Sequence, residues 1–543
     1  MTHDLLDTAR AWAAADPHDG DRAEILALAD GGDTEELARR FAGPLTFGTA
    51  GLRGPLRAGP AGMNAAVVTR AAAGLGAWLA ASGHAGGGVV IGFDARRRSD
   101  EFARISAEVL AAAGFAVQVM PRPLPTPVLA FAVRHLGCAA GVMVTASHNP
   151  PDDNGYKVYL GDGAQLVPPA DREIEAAIGA VGPAREVPLS DEWVTLGDDI
   201  ETDYVEAVVR AVDPARVPAE ARDALTVAYT AMHGVGAGTT RKVFAAAGLR
   251  APASVPEQDA PDPAFPTVAF PNPEEPGAVD LLLALAARAG ADVAIAEDPD
   301  ADRCSVVCGG RQLTGDEVGA LLADWLIRRG VRGTYASSLV SGSLMRVIAE
   351  AHGVPSQETP TGFKWIMRAG SAEAPLVYGY EEALGYSVAP TVVKDKDGIS
   401  AALAVALLAA ELKAEGRTVL DRLDELASEH GLFVTGQLSV RVEDLSLISG
   451  AMARLRATPP TTLLGRPVEF ADLALETPPV DAVRLLGDGV RVIVRPSGTE
   501  PKLKAYLETV VPVHDDAGLI AARGRGADEL DQLRAEMSAA LGL

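Results

Sequence analysis

Three times along this chain an apolar, strand-like run ends in a short polar loop. Residues 141–144 lead to Ser147, residues 292–296 to Asp298, and residues 376–378 to Glu381. Runs apolar on both faces must be covered on both. Strands alternating with helical stretches achieve this in mostly parallel sheets layered between helices. In open sheets of this kind ligands bind at the loops that follow strand carboxyl ends. The first 45 or so residues read as helices with charged faces, and from Gly88 the alternation is regular. Strands are expected at 89–93 and 115–119, and helices at 99–113, with Ser99 as N-cap, and at 125–136. A second round has a strand at 225–228, the glycine-rich turn His233-Gly234-Val235-Gly236, a helix at 239–247, an irregular proline-rich stretch at 251–276 and a helix at 277–289. A third has a strand at 335–340 and a helix from Ser343. Beyond Glu429 the pattern changes to strands at 432–442, 490–494 and 503–510, which reads as a smaller α+β domain. The expected fold class is α/β: three similar α/β domains with mixed, mostly parallel sheets plus a C-terminal α+β domain. The expected bounds are 1–200, 201–310, 311–430 and 431–543, in keeping with a 543-residue chain.

Bulk charge narrows the partners. Lys and Arg number 48 and Asp and Glu 73, a formal charge of −25. Phosphate backbones and anionic lipids reward the opposite sign, so no nucleic acid and no membrane is expected as partner. The start, Met1-Thr2-His3-Asp4, has no basic segment leading into an apolar one, and the apolar run 401–410 is too short to span a bilayer. Three cysteines, Cys138, Cys304 and Cys308, make no disulfide framework, and the Cys304/Cys308 pair lacks the second ligand pair of a zinc site. Buried thiols in a cytoplasmic protein are expected.

The loops carry chemistry in four pieces. Thr145-Ala146-Ser147-His148-Asn149-Pro150 presents a hydroxyl just past a buried strand, without the Gly-x-Ser-x-Gly elbow of an acyl-transfer hydrolase. Asp298-Pro299-Asp300-Ala301-Asp302-Arg303 places three carboxylates at alternate positions, which on an extended loop point to one side and can converge on a cation. All-oxygen ligation suits Mg²⁺. A calcium EF-hand would need Gly at the sixth loop position and Glu at the twelfth; Arg303 and Gly309 stand there. Gly379-Tyr380-Glu381-Glu382-Ala383-Leu384-Gly385 offers acids that could accept from vicinal hydroxyls. Arg495-Pro496-Ser497-Gly498-Thr499 offers a guanidinium, hydroxyls and turn N–H groups for a phosphate, with Lys502 and Lys504 beyond. Each piece has an ordinary reading as well: a capped turn, a solvated acidic loop, a helix start, a hairpin. Two further patches carry cations, Thr361-Gly362-Phe363-Lys364 and Lys394-Asp395-Lys396-Asp397-Gly398, and the run Phe47 to Gly54 holds Arg53 without the Gly-Lys-Ser/Thr end of a P-loop.

Taken together and in this order, the motifs resemble the α-D-phosphohexomutase family, over about residues 47–510. The resemblance implies four domains around a deep central cleft. It implies phosphorylation of Ser147, and Mg²⁺ held by Asp298, Asp300 and Asp302 with an oxygen of phospho-Ser147. Arg53, His148, Lys157, Arg303 and Lys396 match the family's catalytic centre; Lys157 would help deprotonate the acceptor hydroxyl if burial among cations lowers its pKa. Gly362, Lys364, Glu381 and Glu382 match the sugar-binding loops, and Arg495, Ser497, Gly498 and Thr499 the distal phosphate loop. The implied reaction interconverts glucose 1-phosphate and glucose 6-phosphate, with glucose 1,6-bisphosphate as intermediate and activator. The implied partner is a small phosphosugar, and the implied state a monomer or homodimer. One departure bears on the sugar. Many relatives carry Glu-x-Ser where this chain has Glu381-Glu382-Ala383, a form resembling the branch that contains bacterial phosphoglucomutases and phosphopentose-acting enzymes. Mannose and pentose phosphates therefore stay open as substrates. A metal-dependent sugar phosphatase and a non-catalytic phosphosugar-binding protein are the alternatives from other classes.

Overall fold

The computed structural model describes residues 2–48, 51–442, 446–497, 502–513 and 516–542. The chain forms two compact units, residues 1–313 with 384–411, and residues 314–383 with 412–543.

The first unit opens with three helices, Thr2–Ala15, Asp19–Gly31 and Thr34–Arg40, whose Ala9, Ala13, Ile25, Ala29 and Leu37 meet in a small core. A six-stranded sheet follows, from Leu52–Pro55 (β1), Gly88–Phe93 (β2), Ala116–Val119 (β3), Ala140–Val144 (β4), Asp153–Leu160 (β5) and Val194–Thr195 (β6), in the order β1-β5-β4-β2-β3-β6. Strands β2, β3, β4 and β6 are parallel, whereas β5 returns antiparallel beside β4 and carries β1 antiparallel on its far side. Every residue of β4 is buried. Covering Met143 and Val144 on opposite faces is worth about 1.5–3 kcal/mol each, which is why this strand sits inside the sheet. A second sheet repeats the plan with Val227–Thr230 (β7), Ala253–Ser254 (β8), Val293–Glu297 (β9), Cys304–Cys308 (β10) and Arg311–Gln312 (β11), ordered β11-β10-β9-β7-β8. Here too a buried parallel strand, β9, is followed by a short loop and an antiparallel return strand, β10.

Among the described residues one helix, Ala65–His84, is long and apolar enough by length and composition to cross a bilayer, and 56% of its most apolar stretch is buried. Its Val68, Ala72, Leu75 and Leu79 pack with Leu110 and Ile174 in the core of the first sheet. The three cysteines are free and buried.

In the second unit, Thr334–Ser338 (β12) lies parallel between Ser356–Thr359 (β13) and Leu376–Glu381 (β14). The next strand in the chain, Gly385–Ser387 (β15), falls within the first unit. The C-terminal sheet, Leu432–Arg441 (β16), Thr462–Leu463 (β17), Arg466–Asp472 (β18), Val483–Gly487 (β19), Val490–Pro496 (β20) and Lys502–Val511 (β21), is antiparallel throughout in the order β16-β21-β20-β19-β18-β17. The acidic tail forms the helix Asp516–Leu541, which seats Leu530, Leu533, Met537 and Leu541 on the core of this sheet.

Three local expectations are corrected. Ser99 is not the N-cap: Arg98, with φ 64, precedes the helix, and the Ser99 hydroxyl donates to Asp94 Oδ1 at 2.6 Å instead of accepting from the helix. The strand expected at 225–228 lies at Val227–Thr230, because buried Leu225 closes the helix Ala219–Ala224. The helix expected from Thr239 begins at Gly236, its glycines having read as loop.

Candidate active site

Strand β4 delivers Ser147. The chain turns sharply past Thr145, and Ser147 has φ 50, a left-handed conformation that costs a non-glycine residue roughly 1–2 kcal/mol. The Thr145 hydroxyl accepts the Ser147 N–H at 2.9 Å, and the Ala146 carbonyl accepts the Asn149 N–H at 3.0 Å. Backbone strain of this kind collects at functional loops. Ser147 is 3% exposed, and its Oγ donates to Asp298 Oδ2 at 2.6 Å. His148 Nδ1 lies 3.3 Å from the same Oγ. Burial, then the charges of Arg303 and Arg53, hold the His148 imidazole well below its ordinary value, so it is neutral at pH 7.

Strand β9 delivers the acids, by a tight turn rather than the extended loop expected from their alternate spacing. The Ala301 N–H donates to the Asp298 carbonyl at 2.8 Å, Ala301 has φ 55, and Asp298 Oδ1 accepts the N–H groups of Asp302 at 3.1 Å and Arg303 at 3.0 Å. The turn, not strand alternation, makes the carboxylates converge. Its backbone needs room, which explains the glycine-rich turn at 233–236: a Cβ on Gly234 would sit 2.3 Å from Pro299 Cα.

All three acids are 0% exposed. Lys157 Nζ, from β5, donates to Asp300 Oδ2 at 2.7 Å and Asp302 Oδ2 at 2.9 Å, and Lys396 Nζ to Asp302 Oδ2 at 2.7 Å. The Thr126 hydroxyl donates to Asp300 Oδ2 at 2.6 Å. Burial alone would raise Asp300 and Asp302, but the lysines outweigh it and hold both low. Asp298 has no lysine; burial, then its two acidic neighbours, push it well above the usual carboxylate range. Arg303 Nε lies 3.9 Å from both Asp298 Oδ2 and Asp302 Oδ1, and Arg53 donates to Asn149 Oδ1 at 3.0 Å. The expectation that Lys157 is depressed by neighbouring cations is corrected. Burial does push it down, but Asp300 and Asp302 push harder, and the ammonium is held above its ordinary value.

A divalent cation fits this centre. One ligand oxygen from each acid lies within 4.8 Å of the others, the one such group of three among the described residues. Asp300 Oδ1 and Asp302 Oδ1 are buried and accept no hydrogen bond. Unspent buried carboxylate lone pairs in an all-oxygen set suit a hard ion such as Mg²⁺.

The first unit thus brings together Ser147, His148, Arg53, Lys157, Arg303, Lys396 and the three acids. The second unit brings together most of the others. Gly362, with φ 113, donates its N–H to Glu381 Oε1 at 2.8 Å at the start of the short helix that holds buried Lys364. Glu382 Oε2 accepts the hydroxyls of Ser338 and Ser341, each at 3.1 Å. Arg495 pairs with Lys504 across β20 and β21, and the Ser497 N–H donates to the Lys502 carbonyl at 2.8 Å. Burial pushes the Tyr506 hydroxyl above its ordinary value, Glu382 adds to the rise, and Arg495 opposes it. Gly498 and Thr499 lie outside the described residues. The sequence reading missed Thr126, Ser338 and Ser341. Thr126 stands in Pro125-Thr126-Pro127, which signals only a helix start, and the serines supply hydroxyls near the position where Ala383 lacks one.

A strained serine hydrogen-bonded to one of three buried acids that could hold a metal ion, ringed by lysines and arginines, has the parts of a phosphoryl-transfer centre on an α/β scaffold. Family models described as phosphoglucomutase/phosphomannomutase match the chain in sequence: α/β/α domain I over residues 44–184, domain II over 202–311, domain III over 314–430 and the C-terminal domain over 439–516. The chain is 44% identical to a "Probable phosphomannomutase" of Haemophilus influenzae, covering 88% of this chain and 96% of that one. It is 34% identical to a phosphopentomutase of Mus musculus, covering 92% and 89%. A solved structure from Thermus thermophilus, assigned as a phosphomannomutase, superposes with a TM-score of 0.70 at 28% identity, covering 90% of this chain and 99% of that one. The chain belongs to the phosphoglucomutase/phosphomannomutase family, has its four-domain α/β architecture, and is an enzyme of the phosphomutase class.

Proposed function

We propose that this enzyme interconverts glucose 1-phosphate and glucose 6-phosphate through phospho-Ser147 and a glucose 1,6-bisphosphate intermediate. The observation that carries the reading is the 2.6 Å bond from Ser147 Oγ to Asp298 inside the buried acid group. Asp298, Asp300, Asp302 and an oxygen of phospho-Ser147 would hold Mg²⁺, which when bound supplies charge stabilisation to the phosphoryl oxygens. In the first transfer the bond from phosphorus to Ser147 Oγ breaks and one from phosphorus to the free sugar hydroxyl oxygen forms. The hydroxyl proton must leave and Ser147 Oγ must regain one. In the second the bond from the bisphosphate's other sugar oxygen to phosphorus breaks and Ser147 Oγ is rephosphorylated, with the proton moves reversed. Neutral His148, 3.3 Å from that Oγ, is suited to carry the proton. Lys157, held protonated, acts as a hydrogen-bond donor and fixed charge rather than a base. Arg53, Arg303 and Lys396 meet the phosphoryl charge. Gly362, Lys364, Glu381 and Glu382 hold sugar hydroxyls, and Arg495, Ser497, Gly498 and Thr499 receive the distal phosphate.

Glucose is named in the family description, and mannose and pentose in the two relatives' names. A coupled assay across glucose, mannose, ribose and N-acetylglucosamine 1-phosphates, with and without glucose 1,6-bisphosphate, tests the choice. The expected result is the highest kcat/KM on glucose 1-phosphate, with activation by the bisphosphate. A tenfold preference for mannose or ribose, on the order of 1.4 kcal/mol, replaces the sugar but keeps the mechanism. Inactivity on all four overturns the reading. Rapid loss of phosphate from Ser147 to water, with no sugar present, would make the protein a phosphatase instead. We also propose the domain bounds 1–200, 201–310, 311–430 and 431–543, a monomer or homodimer, and a cytoplasmic location, the last supported by three free buried thiols.

A further inference from the structure

We propose that Arg96 is the positioning residue for Ser147, one buried guanidinium setting the backbone of the whole reactive loop. Arg96 is 4% exposed. Its Nη1 donates to the carbonyls of Pro150 at 2.8 Å and Asp153 at 3.2 Å, and its Nη2 to those of Ser147 at 2.6 Å and Asn149 at 2.5 Å. Four terminal N–H groups thus meet three carbonyls of one irregular loop and the carbonyl of Asp153, where β5 begins. Buried carbonyls outside helices and sheets need donors from elsewhere, and here a single planar fork supplies them. An ammonium has three donors radiating from a point and does not reproduce that pattern.

The fork is itself fixed. The Arg96 N–H donates to Asp94 Oδ1 at 3.0 Å, Asp94 Oδ2 lies 3.5 Å from Arg96 Nε, and the Phe265 ring covers the guanidinium at 4.9 Å. The Asp94 N–H in turn donates to the Val144 carbonyl at 3.0 Å, at the end of the strand that feeds Ser147. Asp94 and Arg96 follow β2, so the neighbouring strand braces the loop that β4 delivers. Arg96 grips the carbonyl of a residue whose φ is 50, and so holds the one backbone that aims Oγ at Asp298.

The inference rests on Ser147 as the phosphoryl carrier. It is tested on the full-length enzyme with Arg96→Met, Arg96→Lys and, as a stability control, Leu110→Ala in the core of the same domain. Three readouts are needed: thermal unfolding, the separate values of kcat and KM, and the rate at which glucose 1,6-bisphosphate phosphorylates Ser147, followed by intact mass. In Arg96→Met, kcat and the Ser147 phosphorylation rate should fall by about 30-fold or more with KM moving less than about threefold, the pattern of a lost transition-state geometry. Arg96→Lys should recover part of the rate. Leu110→Ala should lose stability while keeping kcat within about twofold. A smaller fall in Arg96→Met, a fall matched by Leu110→Ala, or a rise in KM at steady kcat overturns the proposal. If Ser147→Ala remains active, the proposed function fails first; if Ser147→Ala is dead and Arg96→Met is not, only the role of Arg96 fails.

Discussion

The Ser147 loop and the Asp298 loop occupy the same place in consecutive sheets, each between a buried parallel strand and an antiparallel return strand. Each turns on a non-glycine residue in the left-handed region, Ser147 with φ 50 and Ala301 with φ 55. They are held in opposite ways. The acid loop is self-supporting: Asp298, its first residue, accepts the N–H groups of Asp302 and Arg303. The serine loop borrows most of its support from an arginine about fifty positions earlier. A loop whose job is to collect negative charge can spend one of its own carboxylates on structure. A loop that must present one hydroxyl has no such side chain to spare.

The largest expected effect separates the two jobs of Asp298. Asp298→Asn keeps an oxygen for the two N–H groups but removes the anionic ligand it can offer a cation. We expect kcat to drop on the order of 10³-fold with a melting temperature within a few degrees of wild type. Asp298→Ala should lose the same activity and also about 1–3 kcal/mol, because two buried N–H groups are orphaned. Equal stability losses in the two variants would show that charge rather than acceptor geometry holds the turn. Chelation comes next. EDTA should lower activity by roughly 100-fold, restored by Mg²⁺, while the melting temperature moves little, since Lys157 and Lys396 already brace Asp300 and Asp302. A large unfolding shift would contradict a protein-braced acid loop.

The smallest effect lies outside both loops and calibrates them. Asp16, 1% exposed among the N-terminal helices, is raised to about 6 by burial, against the pull of the His18 N–H, with Asp21 adding to the rise. Its folded value exceeds its unfolded one, so its contribution is fully present below pH 3.8 and lost as pH rises through 6. Asp16→Asn should therefore be more stable than wild type by about 1–2 kcal/mol at pH 8, a gain that vanishes near pH 4, with kcat unchanged. Denaturant titrations at both pH values decide it, and a pH-independent difference would refute it.

The architecture was legible in the sequence wherever strands were apolar on both faces: β2, β4, β9 and β20 lie within a residue or two of where period and punctuation put them. The meeting of Ser147 with the Asp298 triplet was legible too, because both stand at fixed offsets from those strands. What supports them was not. Arg96 sits in Arg96-Arg97-Arg98, where nothing local tells a buried fork from two neighbours with ordinary ion pairs. Thr126 meets Asp300 across 174 positions, a contact only the folded chain creates. The charge on Lys157 could not be read either, since the sign of its shift depends on which residues fold against it, and those are carboxylates.

Ser147 and Lys157, built on the first sheet, and Thr126, at the start of one of its helices, all grasp the acid turn of the second. That clasp cannot be stretched without leaving ionised groups stranded in a dry interior. The two sheets therefore present a stationary anvil. Under the proposed reaction, a substrate that offers first one end and then the other to the same serine has to be the piece that travels, so how firmly it is retained between the two strokes would govern whether a turnover is completed or the half-finished product escapes.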